Sequence, residues 1–144
     1  TGLRVNLFFS CITPEIEIRS YIPAEGRVDL KIKKPLDVYI RIPSYVKKDK
    51  LTVRVEDQDL QNYRMFGPYL LVPNRGSSTR VEIEFDQVIS IRKERFSNTD
   101  YTIQWLGDTV WNIEPKGERV PLYFPARLAL YGLNNLQPTN SSTK

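Results

Sequence analysis

The chain contains no histidine, and its only cysteine is Cys11. Without imidazole, a histidine-dependent serine or cysteine triad, a histidine-ligated zinc and imidazole acid–base catalysis are all excluded from these residues. A lone cysteine closes no internal disulfide, so it assigns no compartment and leaves secreted, periplasmic and cytoplasmic settings open. Long apolar runs are also missing: none approaches the ~20 residues that cross a bilayer as a helix, and no membrane span is expected. The net charge of +4 and sequence pI near 9.2 hold no basic stripe. Lys47, Lys48 and Lys50 flank Asp49, and Arg92, Lys93 and Arg95 flank Glu94, so nucleic-acid binding is not expected. No metal or cofactor is expected.

What remains is the composition of a globular domain, 40% hydrophobic and 26% charged over 144 residues. A chain of this length buries roughly two-thirds of its unfolded surface in one domain. It starts at Thr1, with no basic segment followed by an apolar one, and this start reads as a fragment boundary or a processed end.

Alternation is the dominant pattern. Leu36, Val38, Ile40 and Ile42 fall on one side of an extended segment, Asp37, Tyr39 and Arg41 on the other, and Pro43 ends it because proline cannot donate to a ladder. The pattern recurs at Leu3–Phe9, Glu15–Tyr21, Arg27–Ile32, Leu51–Val55, Arg80–Phe85, Gln87–Arg92, Tyr101–Leu106, Thr109–Ile113 and Val120–Phe124, and weakly at Leu60–Arg64. Tyr69–Val72, apolar on both sides, is expected to lie centrally in a sheet. Turn signals every ~8 to 14 residues predict an all-β, antiparallel β-sandwich of jelly-roll or immunoglobulin-like type, with about ten strands. Residues 1–133 read as the sandwich and 134–144 as a polar flexible tail, with a helical turn at most near Ala126–Leu130.

Gly107-Asp108 suits a two-residue type II′ hairpin turn. Parity about that turn puts Tyr101, Ile103, Trp105 and Val110 inward, and Trp111 with Thr102, Gln104 and Thr109 on a mixed face open to a sugar or another domain. Tyr39 and Tyr45 are the other aromatic candidates for carbohydrate or interdomain contact. Glu82, Glu84 and Asp86 share one strand face, as do residues on any solvated strand, and neutralisation by Arg80 and by lysines of neighbouring strands is expected in preference to catalysis. Glu56, Asp57, Asp59 and Asn62 lack the central glycine and terminal glutamate of a calcium loop. Asn140-Ser141-Ser142 is a glycosylation sequon of little specificity.

Val5-Asn6-Leu7-Phe8-Phe9, Arg41-Ile42-Pro43-Ser44-Tyr45 and the Gly67–Tyr69 segment form a distinctive succession. With the closing stretch Tyr101–Pro115 and Pro121-Leu122-Tyr123, they resemble the C-terminal β-sandwich of the β-L-arabinofuranosidase-like proteins, glycoside hydrolase family 127. The resemblance runs over residues 3–124, with Ala24 standing after Pro23 where that family places an aromatic residue. It implies a noncatalytic domain whose partner is a catalytic (α/α)6 barrel carrying a glutamate and zinc-binding cysteines. None of that machinery lies in these residues, and Cys11, which is in no cysteine pair, is expected to be a buried, inert thiol. An autonomous carbohydrate-binding module that takes plant-type glycans weakly, and a protein-interaction sandwich, are the alternatives.

Overall fold

The computed structural model describes residues 2–73, 76 and 78–116. They form thirteen strands and one 3-10 turn, Lys48–Lys50, so the all-β expectation holds with more and shorter strands than the sequence rhythm implies. The strands are β1 (Gly2–Val5), β2 (Cys11–Ile12), β3 (Ile16–Ser20), β4 (Arg27–Ile32), β5 (Asp37–Arg41), β6 (Leu51–Val55), β7 (Gln58–Asp59), β8 (Arg64–Phe66), β9 (Tyr69–Val72), β10 (Thr79–Phe85), β11 (Ile89–Phe96), β12 (Thr99–Leu106) and β13 (Thr109–Glu114). The chain divides into two compact units, Thr1–Asp86 and Gln87–Lys144. The expected strand near Val120–Phe124, the turn near Ala126–Leu130 and the tail from residue 134 lie outside the described residues.

The first unit is a β-sandwich. One sheet has the order β1-β5-β9-β8 and the other β2-β3-β4-β10-β6-β7. Every ladder in the unit is antiparallel except β1–β5, which is parallel. Alternation explains the layering: Val38 and Ile40 of β5 and Leu70 and Val72 of β9 point inward, opposite Val28, Leu30 and Ile32 of β4 and Val81, Ile83 and Phe85 of β10. These inner rows make one buried cluster. Burying each large aliphatic side chain contributes about 1.5–3 kcal/mol, which is why strands this short hold together. As expected, β9 is internal to its sheet.

Two predicted strands are interrupted. The segment Leu3–Phe9 leaves the ladder after Val5 because the chain crosses from the four-stranded sheet to the six-stranded one, where Cys11–Ile12 resumes pairing with β3. The crossing leaves Leu7, Phe9 and Ile12 largely exposed. The weak strand at Leu60–Arg64 is replaced by β7 and β8, which serve different sheets. Glu56 and Asp57, both at positive φ, close the two-residue turn between β6 and β7.

The second unit, as far as described, is the three-stranded meander β11-β12-β13. Ser97 and Asn98, both at positive φ, join β11 to β12. That turn lets β11 run to Phe96, past the expected end at Arg92. Gly107, at φ +58°, joins β12 to β13 between Leu106 and Thr109, where the sequence placed the turn. The expected faces are nevertheless corrected: Trp111 is the buried indole, 7% exposed, and Trp105 is only half-buried. The ladder shifts register beside Trp105, so Trp105 opposes Val110 while Gln104 opposes Asn112. Trp111 is the extra residue of a bulge, and a bulge re-aims side chains that parity alone would assign to the other face.

Candidate functional site

The outer face of the six-stranded sheet collects the chain's acidic candidates. Glu82 and Glu84 stand on β10 between β4 and β6, whose outward residues include Arg27 and Arg54. Arg27 Nη2 lies 2.9 Å from Glu82 and its Nε 2.9 Å from Asp29. Arg54 pairs with Glu82, with Glu84 at 3.4 Å and with Asp59 at 3.1 Å. Both guanidiniums are held still more firmly charged than usual. For Arg27 the hydrogen bond to Asp29 is the main cause, and for Arg54 the hydrogen bond to Glu82. Tyr21 completes the group, its ring 5.0 Å under the Arg27 guanidinium and its hydroxyl donating to Asp29 at 3.3 Å.

A concavity of about 360 Å³ opens on this face, lined among others by Glu17, Arg27, Asp29, Arg54 and Glu82. Its charges answer one another across strands, which is how opposite charges stabilise a sheet face. A general acid needs a carboxyl free to reach a substrate, whereas both Glu82 oxygens are engaged by guanidiniums, Oε1 by Arg54 and Oε2 by Arg27. Arginines, rather than lysines, thus neutralise Glu82 and Glu84. At the β6–β7 turn, Glu56 Oε1 accepts from the Arg80 backbone N–H at 2.6 Å, and Asp59 is held by Arg54. Among the described residues no group of three or more histidine, cysteine, aspartate or glutamate side chains is arranged to hold a metal. Cys11 is a free thiol on β2, half-buried instead of buried as expected.

Of the three aromatic candidates, the two in the first unit, Tyr39 and Tyr45, are not brought together: one is on an outer sheet face and the other packs on the core. Trp111 belongs to the second unit, where little of its ring is open. Tyr45 packs on the core of the sandwich, edge-on to Phe85 with ring centroids 6.1 Å apart. Tyr39 stands on the outer face of the four-stranded sheet, edge-on to Phe66 at 6.1 Å.

Around Tyr39 the pairing assembles residues that the sequence did not single out. Arg4, Tyr39, Leu71 and Arg64 lie opposite one another across β1, β5, β9 and β8. Arg41, Tyr69 and Phe66 form the next row. The Arg4 guanidinium lies over the Tyr69 ring at 5.6 Å, and the Tyr69 hydroxyl donates to Asn6 Oδ1 at 2.9 Å. Gly2 seats the Tyr39 ring, since a Cβ at Gly2 would stand 2.7 Å from Tyr39 Cε2. The outward parity of Tyr39 and Arg41 was visible in the sequence; that of Tyr69 and Leu71 was not, because their strand is apolar on both sides, and the adjacency of all four depends on non-local register.

Comparison of the sequence with family models gives no match, and comparison with curated proteins gives none. Solved structures do match in fold. A GH127 β-L-arabinofuranosidase from Geobacillus stearothermophilus T6 superposes with a TM-score of 0.52 at 14% identity, covering 74% of this chain and 19% of that one. A second GH127 β-arabinofuranosidase (TM-score 0.47) and a glycoside hydrolase (0.49) each match at 19% identity over 66% of this chain, covering 18% and 17% of their own. The chain therefore has a β-sandwich fold like one part of the T6 enzyme, and it spans less than a fifth of the length of each of these three proteins.

Proposed function

We propose that this chain is the noncatalytic β-sandwich of a β-L-arabinofuranosidase-like glycoside hydrolase, bracing a helical catalytic barrel supplied by another part of a longer polypeptide. The observation that carries this reading is the fold similarity to the T6 enzyme, which extends over 74% of this chain and only 19% of that enzyme. A sandwich that takes up so small a share leaves the chemistry to the rest of the protein. The acidic residues on the outer sheet face support the same reading, because arginines occupy them in ion pairs.

Leu7 and Phe9 on the crossing from β1 to β2, and Ile12 on β2, expose large apolar side chains within six residues of one another, and a neighbouring domain that covers this segment would bury them. The test is to prepare the helical domain of the longer polypeptide separately and add it to this chain. The reading expects a raised melting temperature for the sandwich, since a partner that binds only the folded state stabilises it. It also expects no turnover of aryl arabinofuranosides by the sandwich alone.

A further inference from the structure

The outer face of the four-stranded sheet differs from its counterpart on the other sheet in one chemical respect. Three of the four arginines on the six-stranded sheet, Arg19, Arg27 and Arg54, hold a carboxylate, and the fourth, Arg80, has none among the described residues. Arg4, Arg41 and Arg64 point outward around Tyr39, Phe66, Tyr69 and Leu71, and none has a carboxylate partner among the described residues. Asp37 is the acidic residue of this face, at the edge row opposite Gly2. Three arginines against one aspartate leave the surface positive.

We propose that this face binds acidic oligosaccharides, carbohydrate chains that carry uronate carboxylates. Two features set that ligand class. Aromatic rings offer flat apolar faces for the C–H faces of sugar rings, and these rings are already fixed: Tyr39 against Phe66, and Tyr69 by the Arg4 guanidinium and its bond to Asn6. Ordering them before binding removes part of the entropy cost of association. Arg41 and Arg64, with no carboxylate partner among the described residues, then supply paired N–H donors that fit a carboxylate. Arg41 stands beside Tyr69 in one row, and Arg64 stands beside Leu71 in the other and two residues from Phe66 along β8, so a sugar lying on the rings brings its carboxylate within their reach.

Size argues against a protein as the occupant. Four strands about 4.8 Å apart make a face about 14 Å wide, and two rows of side chains give it a comparable length. That is about 200 Å², against about 800 Å² per partner in a stable protein interface. A short oligosaccharide fits; a folded partner needs several times the area.

The site is independent of the accessory reading, because it depends on residues of the sandwich alone and either can fail without the other. The test is an NMR titration of the full 144-residue chain with trigalacturonate, its methyl ester, maltotriose and hexaglutamate, at ~0.15 M salt. The proposal expects trigalacturonate to shift amides of β5, β8 and β9 with a Kd of about 1 mM. The ester and maltotriose should bind at least tenfold more weakly. Arg41→Gln and Arg64→Gln should each weaken trigalacturonate binding about fivefold with the unfolding midpoint unchanged, and Tyr39→Phe should retain binding that Tyr39→Ala loses. Equal binding of the ester, no shift up to about 20 mM, or shifts confined to other strands would overturn the proposal. Binding of hexaglutamate as tight as trigalacturonate would overturn it in favour of an acidic polypeptide.

Discussion

The Tyr39 ring stands edge-on to Phe66, centroids 6.1 Å apart and planes at 69°, although the two residues come from β5 and β8 with β9 between them. On its other side the same ring closes over Gly2, where a Cβ would lie 2.7 Å from Tyr39 Cε2. The aromatic face is thus built from three strands at once.

Gly2→Ala should push the Tyr39 ring off its seat. The ring is at the surface and can move, so the cost should fall below the ~1–3 kcal/mol of overpacking a core. Aromatic resonances of Tyr39 and Phe66 should shift while the unfolding midpoint changes little. Unchanged resonances would mean that Gly2 does not position the ring.

Trp111→Ala should cost about 3–5 kcal/mol, the range for emptying a buried aromatic site, and Trp105→Ala clearly less. Urea unfolding followed by circular dichroism compares them directly. The Arg92 guanidinium, 5.5 Å over the Trp105 ring, should add only a small contribution at this half-buried position.

Arg54 and Glu82 make part of a network whose side chains are about one-third and one-quarter exposed. A double-mutant cycle of Arg54→Ala and Glu82→Gln should therefore return a coupling of about 1 kcal/mol or less. Neither substitution should create or abolish glycosidase turnover, which would be measured in the same preparations.

Glu15 titrates below the ordinary glutamate range, first because Lys34 donates a hydrogen bond to its Oε1 at 2.7 Å. A depressed folded-state value means that the contribution is present above the unfolded pKa and is lost as pH falls through the folded one. Lys34→Met should move the Glu15 midpoint upward in an NMR titration. An unmoved midpoint would mean that the pair is not formed in solution.

Tyr69–Val72 was legible as a short apolar strand, though not in which face it buries. Arg27–Ile32 and Leu51–Val55 were legible to the residue because strand parity is local: each inward residue is two positions from the next. The Gly107 turn was legible for the same reason. Trp111 was not, because the bulge that adds a residue opposite Trp105 depends on how two strands pack. The face around Tyr39 was half legible. Tyr39 and Arg41 were readable as outward from the alternation of their own strand, but Tyr69 and Leu71 were not, and placing Arg4 beside Tyr39 requires the parallel β1–β5 pairing, which no local pattern specifies.

The central claim is that the sandwich leans on a catalytic domain, and hydrogen–deuterium exchange of the chain with and without the separately prepared helical domain tests it most directly. The account predicts slowed exchange over residues 7–12, where Leu7, Phe9 and Ile12 are exposed, together with a higher melting temperature. Unchanged exchange over that segment at a saturating excess of the helical domain, with an unchanged melting temperature, would contradict it.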